Sequence, residues 1–204
     1  DTTPCSVGDD TSNTKIVMIG DSHARQWIDA LDLVGQRNGW KILVYAKAAC
    51  AAPMVDYAYQ RLRRQYTECS VWRTAALEDI RRQTPDLVIM TASSAGYVRM
   101  TYDPVSLPDW EQGIEELLDS IAPVNIPKIW LFDNPRISEV SPLKCFHLAY
   151  LHGVGSHSCK VDVPSAIDSE LRTLESEVVT RTPNALFLDF TEHYCNSEYC
   201  DLLP

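Results

Sequence analysis

The sequence predicts an α/β domain: a three-layer α/β/α sandwich on a mostly parallel five-stranded sheet. Three observations lead there. Five short apolar runs, residues 15–19, 41–45, 86–91, 128–133 and 185–189, are rich in Val, Ile, Leu or aromatic residues and read as buried strands. The intervals between them carry apolar residues at helical spacing. Strand and helix alternate along the chain, and each crossover must pack a helix back onto a parallel sheet.

Taken in order, the first strand leads into a helix that keeps Ala24, Trp27, Ile28, Leu31 and Val34 on one face. After the second strand, Trp72, Ala75, Ala76 and Ile80 form the next stripe. The third helix carries Trp110, Ile114, Leu117, Leu118 and Ile121, and Pro123 and Pro127 stop it before the fourth strand. Ile167, Leu171, Leu174 and Val178 mark the last helix, with Pro164 and Ser165 at its opening. Residues 134–163 show no clear period and hold Gly153, Gly155 and two cysteines, the composition of a functional or disulfide-tied loop. The chain reads as one domain over 1–204, with residues 1–14 as a polar lead-in.

A net charge of -10 argues against an electrostatic grip on nucleic acid or anionic lipid. No apolar run approaches the length of a membrane span, and the first residues lack the pattern of an export signal, so any signal or anchor is expected outside these residues. Seven cysteines point to an oxidising compartment. Pairing Cys50 with Cys69, Cys145 with Cys159 and Cys195 with Cys200 closes three short excursions, although six cysteines permit about 15 connectivities. Cys5 is then left over, to be partnered from another segment or chain; buried free thiols are the alternative.

In a doubly wound sheet ligands bind beyond the carboxyl ends of the strands. The first strand runs into Gly20-Asp21-Ser22-His23 and then a helix. Gly20 allows a tight turn, and Ser22 at the start of a helix is placed as a serine nucleophile requires, with backbone N–H groups favouring a developing oxyanion. An Asp or Ser helix cap after a glycine turn explains the same residues without catalysis. Asn134, in Asp133-Asn134-Pro135-Arg136, also falls at a strand's carboxyl end, or simply in an Asn-Pro turn.

Here the sequence resembles the SGNH (GDSL-type) hydrolase superfamily, and more narrowly the SGNH domains fused to membrane acyltransferase-3 proteins. Gly20-Asp21-Ser22-His23 with Gln26, Trp27 and Leu31, Lys47-Ala48-Ala49-Cys50, Cys69-Ser70-Val71-Trp72-Arg73, the run 85–89, and Asp189 followed by Cys195 and Cys200 carry the likeness. The resemblance implies an SGNH/flavodoxin-like sheet, Ser22 as nucleophile with Asp21 in support, and a histidine base oriented by an aspartate. That pair is expected as Asp-x-x-His, which occurs nowhere in the chain. Asp189 and His193 are the local substitutes, while a catalytic segment beyond residue 204 is the simpler expectation. The implied oxyanion donors are Ser22 with groups after the second and third strands, where Ala49 and Ser93 (in Ala92-Ser93-Ser94-Ala95) stand in for the superfamily's glycine and asparagine; Asn134 is a further candidate.

Cys145, His147, His152, His157 and Cys159 have the chemistry of zinc ligands but no finger spacing, so a disulfide with surface histidines is expected and no metal or cofactor. Arg61, Arg63 and Arg64 read as a solvated face or as a contact for an anionic partner. The resemblance makes the chain an O-acyltransferase or esterase domain that handles acyl esters of cell-envelope carbohydrates. Its expected partners are an acyl donor, a glycan or glycolipid acceptor, and an acyltransferase-3 domain in the same polypeptide that tethers it to the outer face of the cytoplasmic membrane. The alternative is a noncatalytic glycan-binding or interaction domain that has lost its base.

Overall fold

The computed structural model describes residues 2–59, 61–93, 97, 103–121, 125–136, 142–153 and 159–201. Its centre is a six-stranded sheet in the order β1-β3-β2-β6-β7-β9. The five expected strands are β2 (Lys15–Gly20), β3 (Lys41–Ala46), β6 (Leu87–Met90), β7 (Lys128–Leu131) and β9 (Ala185–Leu188), all parallel. The sixth is β1 (Cys5–Gly8), antiparallel to β3 with Cys5 opposite Val44 and Gly8 opposite Lys41. It lies in the stretch expected to be lead-in. Cys5-Ser6-Val7-Gly8 has no apolar alternation because, as an edge strand, it is held by main-chain pairing and buries little.

Alternate residues of β2 feed the two faces of the sheet: Val17 and Ile19 pack with Leu43, Trp72, Ile80, Ile114, Leu118 and Val178, whereas Ile16 and Met18 pack with Ala24, Ile42 and Val44. The first face is covered by α3 (Thr67–Gln83), α4 (Leu107–Ile121) and α7 (Ser169–Arg181). The second is covered by α1 (Ser22–Arg25), α2 (Ile28–Asn38) and the segment around Phe190. Both faces of the sheet are therefore covered over its central strands, which is why β3, β2, β6 and β7 are predominantly apolar.

Three boundaries differ from expectation. The first helix is broken between Arg25 and Ile28, leaving α1 with four residues. Pro164 belongs to a separate turn, α6 (Val163–Ala166), and α7 opens at Ser169, where the Asp168 side chain caps the Leu171 N–H at 3.0 Å. The stretch read as aperiodic contains α5 (Pro142–Leu151) and β8 (Val161–Asp162), which pairs with β10 (Tyr199–Cys200). Two short strands, β4 (Ala58–Tyr59) and β5 (Arg64–Gln65), form a hairpin ahead of α3, and α8 (Thr191–Tyr194) follows β9.

Disulfides join Cys50 to Cys69, Cys145 to Cys159 and Cys195 to Cys200, and Cys5 is free and exposed on β1. With Cys145 and Cys159 bonded to each other, neither offers a thiolate to a metal. His147 lies on α5, His152 directly follows that helix, and His157 lies outside the described residues. Among the described residues no group of three metal-capable side chains converges, and no helix is long and apolar enough to cross a membrane.

Candidate active site

The chain leaves β2 to form β3 on one side and returns to form β6 on the other, so the carboxyl end of β2 is the switch point of the sheet. Ser22 is there, two residues beyond the end of β2, exposed as the first residue of α1. The turn that carries it depends on Gly20 for closeness of approach, since a Cβ at that position would lie 2.5 Å from the Thr91 carbonyl oxygen and 2.9 Å from the Ala24 Cβ. Its φ is not in the left-handed region, so crowding is the reason for glycine there. Gly20→Ala is expected to cost about 1–3 kcal/mol of stability through the forced shift of β2 against β6. Urea unfolding checks this, and a change under 0.5 kcal/mol would refute the steric reading.

Asp21 is buried, 1% exposed, and three donors reach its carboxylate. Oδ1 accepts the His23 N–H at 2.7 Å; Oδ2 accepts the Ser93 N–H at 2.7 Å and the Tyr97 hydroxyl. Asp21 is thus the helix cap, and it ties the turn to the segment after β6. Burial drives the Tyr97 phenol strongly upward, and the adjacent Asp21 charge adds to this, so Tyr97 stays a neutral donor. The Tyr97 ring stacks on Trp110 with centroids 5.7 Å apart.

On the other side of Ser22, His23 Nδ1 is 2.5 Å from Oδ1 of Asp133, at the end of β7, whose side chain is 2% exposed. The Asn134 N–H also donates to that oxygen, at 2.9 Å. The bond to Asp133 raises the His23 pKa above the usual imidazole value, against the opposing effect of burial.

Ala49 lies in the turn after β3 with φ of 54°, the left-handed conformation that glycine favours. The turn is closed by the Cys50 N–H on the Lys47 carbonyl at 3.0 Å, and the Ala49 N–H has no protein partner among the described residues. The Tyr57 hydroxyl donates to the Ala49 carbonyl at 2.7 Å and accepts from the Ala51 N–H at 2.9 Å. The buried Arg73 donates to the carbonyls of Ala51, Pro53 and Val55, and the Cys50–Cys69 bond fastens the same loop to α3. Ser93 is buried and its N–H is committed to Asp21, so that N–H is not free to bind an oxyanion. Ser94 and Ala95 lie outside the described residues. Asn134 is half-buried three residues after β7, beside the His23–Asp133 contact. The four expected oxyanion residues therefore all fall at the carboxyl edge of neighbouring strands.

Asp189 and His193 are not brought together. Asp189 Oδ2 is held by Arg172, at 2.6 Å from Nε, and Oδ1 accepts the Thr191 N–H at 2.7 Å. The exposed His193 ring rests on Phe190, centroids 5.7 Å apart. Of the basic cluster, Arg64 forms a two-pronged pair with Glu68, while Arg61 and Arg63 are exposed. Sequence reasoning missed the His23–Asp133 pair: 110 positions separate the two residues, and only the assembled sheet, in which β6 lies between β2 and β7, joins them. It also missed Tyr97 as a partner of Asp21. A cavity of about 220 Å³ opens beside these groups, lined by Ser93, Tyr97, Val105, Trp110, Arg136 and Leu171 among others.

An exposed serine after Gly-Asp, at the switch point of a doubly wound sheet, defines an SGNH-type α/β domain. More narrowly, the chain belongs to the family described as "SGNH domain (fused to AT3 domains)", whose sequence profile matches residues 1–203. Among solved structures it is similar to the periplasmic domain of a lipopolysaccharide acetyltransferase from Salmonella ser. Paratyphi A, with a TM-score of 0.66 and 16% identity, covering 93% of this chain and 72% of that one. It also resembles a putative acylhydrolase from Bacteroides fragilis, with a TM-score of 0.52 and 12% identity over 93% and 73% of the two chains. A GDSL-like lipase from Bacteroides thetaiotaomicron shares the fold at a TM-score of 0.51 and 10% identity, over 90% and 71%. No curated protein sequence matches the chain.

Proposed function

We propose that the chain is the extracytoplasmic domain of an O-acyltransferase or esterase, in which Ser22 is the nucleophile and acyl esters of cell-envelope carbohydrates are the substrates. The observation that carries this is an exposed Ser22 at the sheet's switch point, on a turn anchored by a buried, fully engaged Asp21. Ser22 Oγ bonds to the donor's carbonyl carbon and gives its proton to a base. The tetrahedral adduct then releases the alcohol, which takes that proton, and leaves acyl-Ser22. Water or a sugar hydroxyl attacks the acyl carbon in turn, and its proton restores Ser22.

On this reading the N–H groups of Ser22 and Ala49 receive the oxyanion, and Asn134 lies at the same edge. Asp189 and His193 are not read as the base and its orienter, because Asp189 accepts from Arg172 and from the Thr191 N–H and His193 rests on Phe190; that role is assigned to the Asp-x-x-His pair that the family resemblance implies. Three disulfides favour an oxidising compartment. Membership of a family fused to AT3 domains favours a membrane acyl carrier in the same polypeptide, and with it transfer to a glycan or glycolipid acceptor over hydrolysis.

The test is intact-protein mass spectrometry after brief exposure to p-nitrophenyl acetate, using this chain and one extended past residue 204. A single acetyl mapped to Ser22, formed and turned over faster in the extended chain, is expected. Absence of the adduct in both would refute the nucleophile and favour a glycan-binding domain.

A further inference from the structure

The orientation of Ser22 cannot come from its own helix. Fixing the first helical turn is unfavourable, and α1 has only four residues. Tethers from outside must set the direction of the Ser22 hydroxyl, and they fall on both sides of it. Before Ser22, the Asp21 carboxylate is bonded to the Ser93 N–H and to Tyr97. After it, the His23 backbone N–H returns to Asp21 at 2.7 Å, and the His23 ring reaches across to Asp133 at 2.5 Å. Among the described residues, no other side chain of α1 makes a hydrogen bond to the body of the domain.

Asp133 suits the part of a fixed post. Its side chain is 2% exposed, it directly follows the buried Phe132, and the Asn134 N–H pins the oxygen that faces His23. The His23 side chain is 35% exposed, at the rim of the site, so its ring is a strut at the edge of the cleft and not core filling.

We propose that His23 is a positioning residue for the nucleophile: through its ring bond to Asp133 and its main-chain bond to Asp21 it ties the turn that carries Ser22 to the segments that follow β6 and β7. The inference rests on the reading of Ser22 as nucleophile. His23 itself exchanges no proton with substrate and serves as a hydrogen-bond donor through Nδ1. An asparagine amide can donate to Asp133 from nearly the same place, and alanine cannot.

The expected result is that His23→Ala slows acetylation of Ser22 by p-nitrophenyl acetate about 10- to 100-fold, the scale set by misplacing a reacting group by roughly 1 Å. KM changes less than about twofold, because substrate contacts are untouched. His23→Asn recovers most of the rate, Asp133→Ala reproduces the loss, and the double alanine variant is no slower than the worse single one. If wild-type protein and the extended chain both fail to acetylate, the nucleophile reading fails. If wild type acetylates and His23→Ala does so equally fast, the positioning role alone is overturned. Amide hydrogen exchange over residues 21–26 gives a readout that needs no acyl donor. It is expected to quicken in His23→Ala and Asp133→Ala but not in His23→Asn, and unchanged exchange in the alanine variants overturns the tie.

Discussion

Ser22→Ala is expected to remove turnover, by about 10⁴-fold or more, while the folded domain stays as stable as before. The two halves of that result come from different features of the turn. Loss of activity follows if the Ser22 oxygen forms the bond to the acyl group; the nearby Tyr97 hydroxyl does not replace it, since it donates to Asp21 and is held neutral by burial. Retained stability follows because Ser22 does no capping. The cap is Asp21, whose Oδ1 takes the His23 N–H, and the exposed Ser22 hydroxyl has no protein partner among the described residues. Removing such a group changes stability by less than about 0.5 kcal/mol. Asp21→Ala is the contrasting variant, because it strands the buried Ser93 N–H, the part-buried His23 N–H and the Tyr97 hydroxyl and unfolds at markedly lower urea. Turnover of p-nitrophenyl acetate in the extended chain, with urea unfolding alongside, separates the cases; a Ser22→Ala variant that turns over normally refutes the nucleophile.

The second large effect is a loss of stability with rising pH that runs through Glu175. This side chain of α7 is 3% exposed, with Oε1 accepting from the Trp110 indole at 2.9 Å and Oε2 from the Trp130 indole at 2.7 Å. Burial pushes its pKa up to about 8; the two indole bonds oppose this, and the charges of Asp133 and Asp168 add to it. In the unfolded chain the group ionises near the ordinary glutamate value, about 4.3. Below that pH it is protonated in both states and contributes no slope. Between there and about 8 the unfolded chain releases the proton while the folded one keeps it, so stability falls by up to about 5 kcal/mol and levels off above. His23 acts in the same direction: its raised pKa contributes stability at low pH that is lost as pH rises through the folded value. The Glu175 contribution is therefore read as a difference between proteins. Glu175→Gln removes the slope but gives one indole an amide NH₂ in place of an acceptor, at a cost of about 1–3 kcal/mol. The variant is expected to be less stable than wild type at pH 5 and no less stable at pH 9. Parallel stability curves would refute the assignment.

The expected strands at residues 15–19 and 41–45 fall within β2 and β3, because strands buried on both faces carry their signal in every residue. Trp110, Ile114, Leu117 and Leu118 declared α4 in the same way, through an apolar stripe that only a helix brings together. Position within the sheet also made the candidate site readable: the segment after the first parallel strand, β2, lies at the switch point, and Ser22 is in it. What stayed hidden depends on main-chain pairing or on long-range meetings. β1 is joined to β3 by backbone hydrogen bonds, for which no side-chain pattern is needed. α5 was hidden because its apolar residues are not confined to one face; Leu148, Tyr150 and Leu151 are exposed.

At the candidate site, the sequence by itself determined that Gly20, Asp21 and Ser22 follow a strand end, since these are consecutive residues at one point of a predictable topology. Only the tertiary structure decided what holds the serine in place. It put Asp21 under Ser93 and Tyr97, set His23 on Asp133 across the sheet, committed Asp189 to Arg172, and placed Ala49 in a glycine-like conformation. The physical reason is that a hydrogen bond between residues 72 to 110 positions apart leaves no trace in local spacing. It exists only once burial of the strands has brought their carboxyl ends to a common edge.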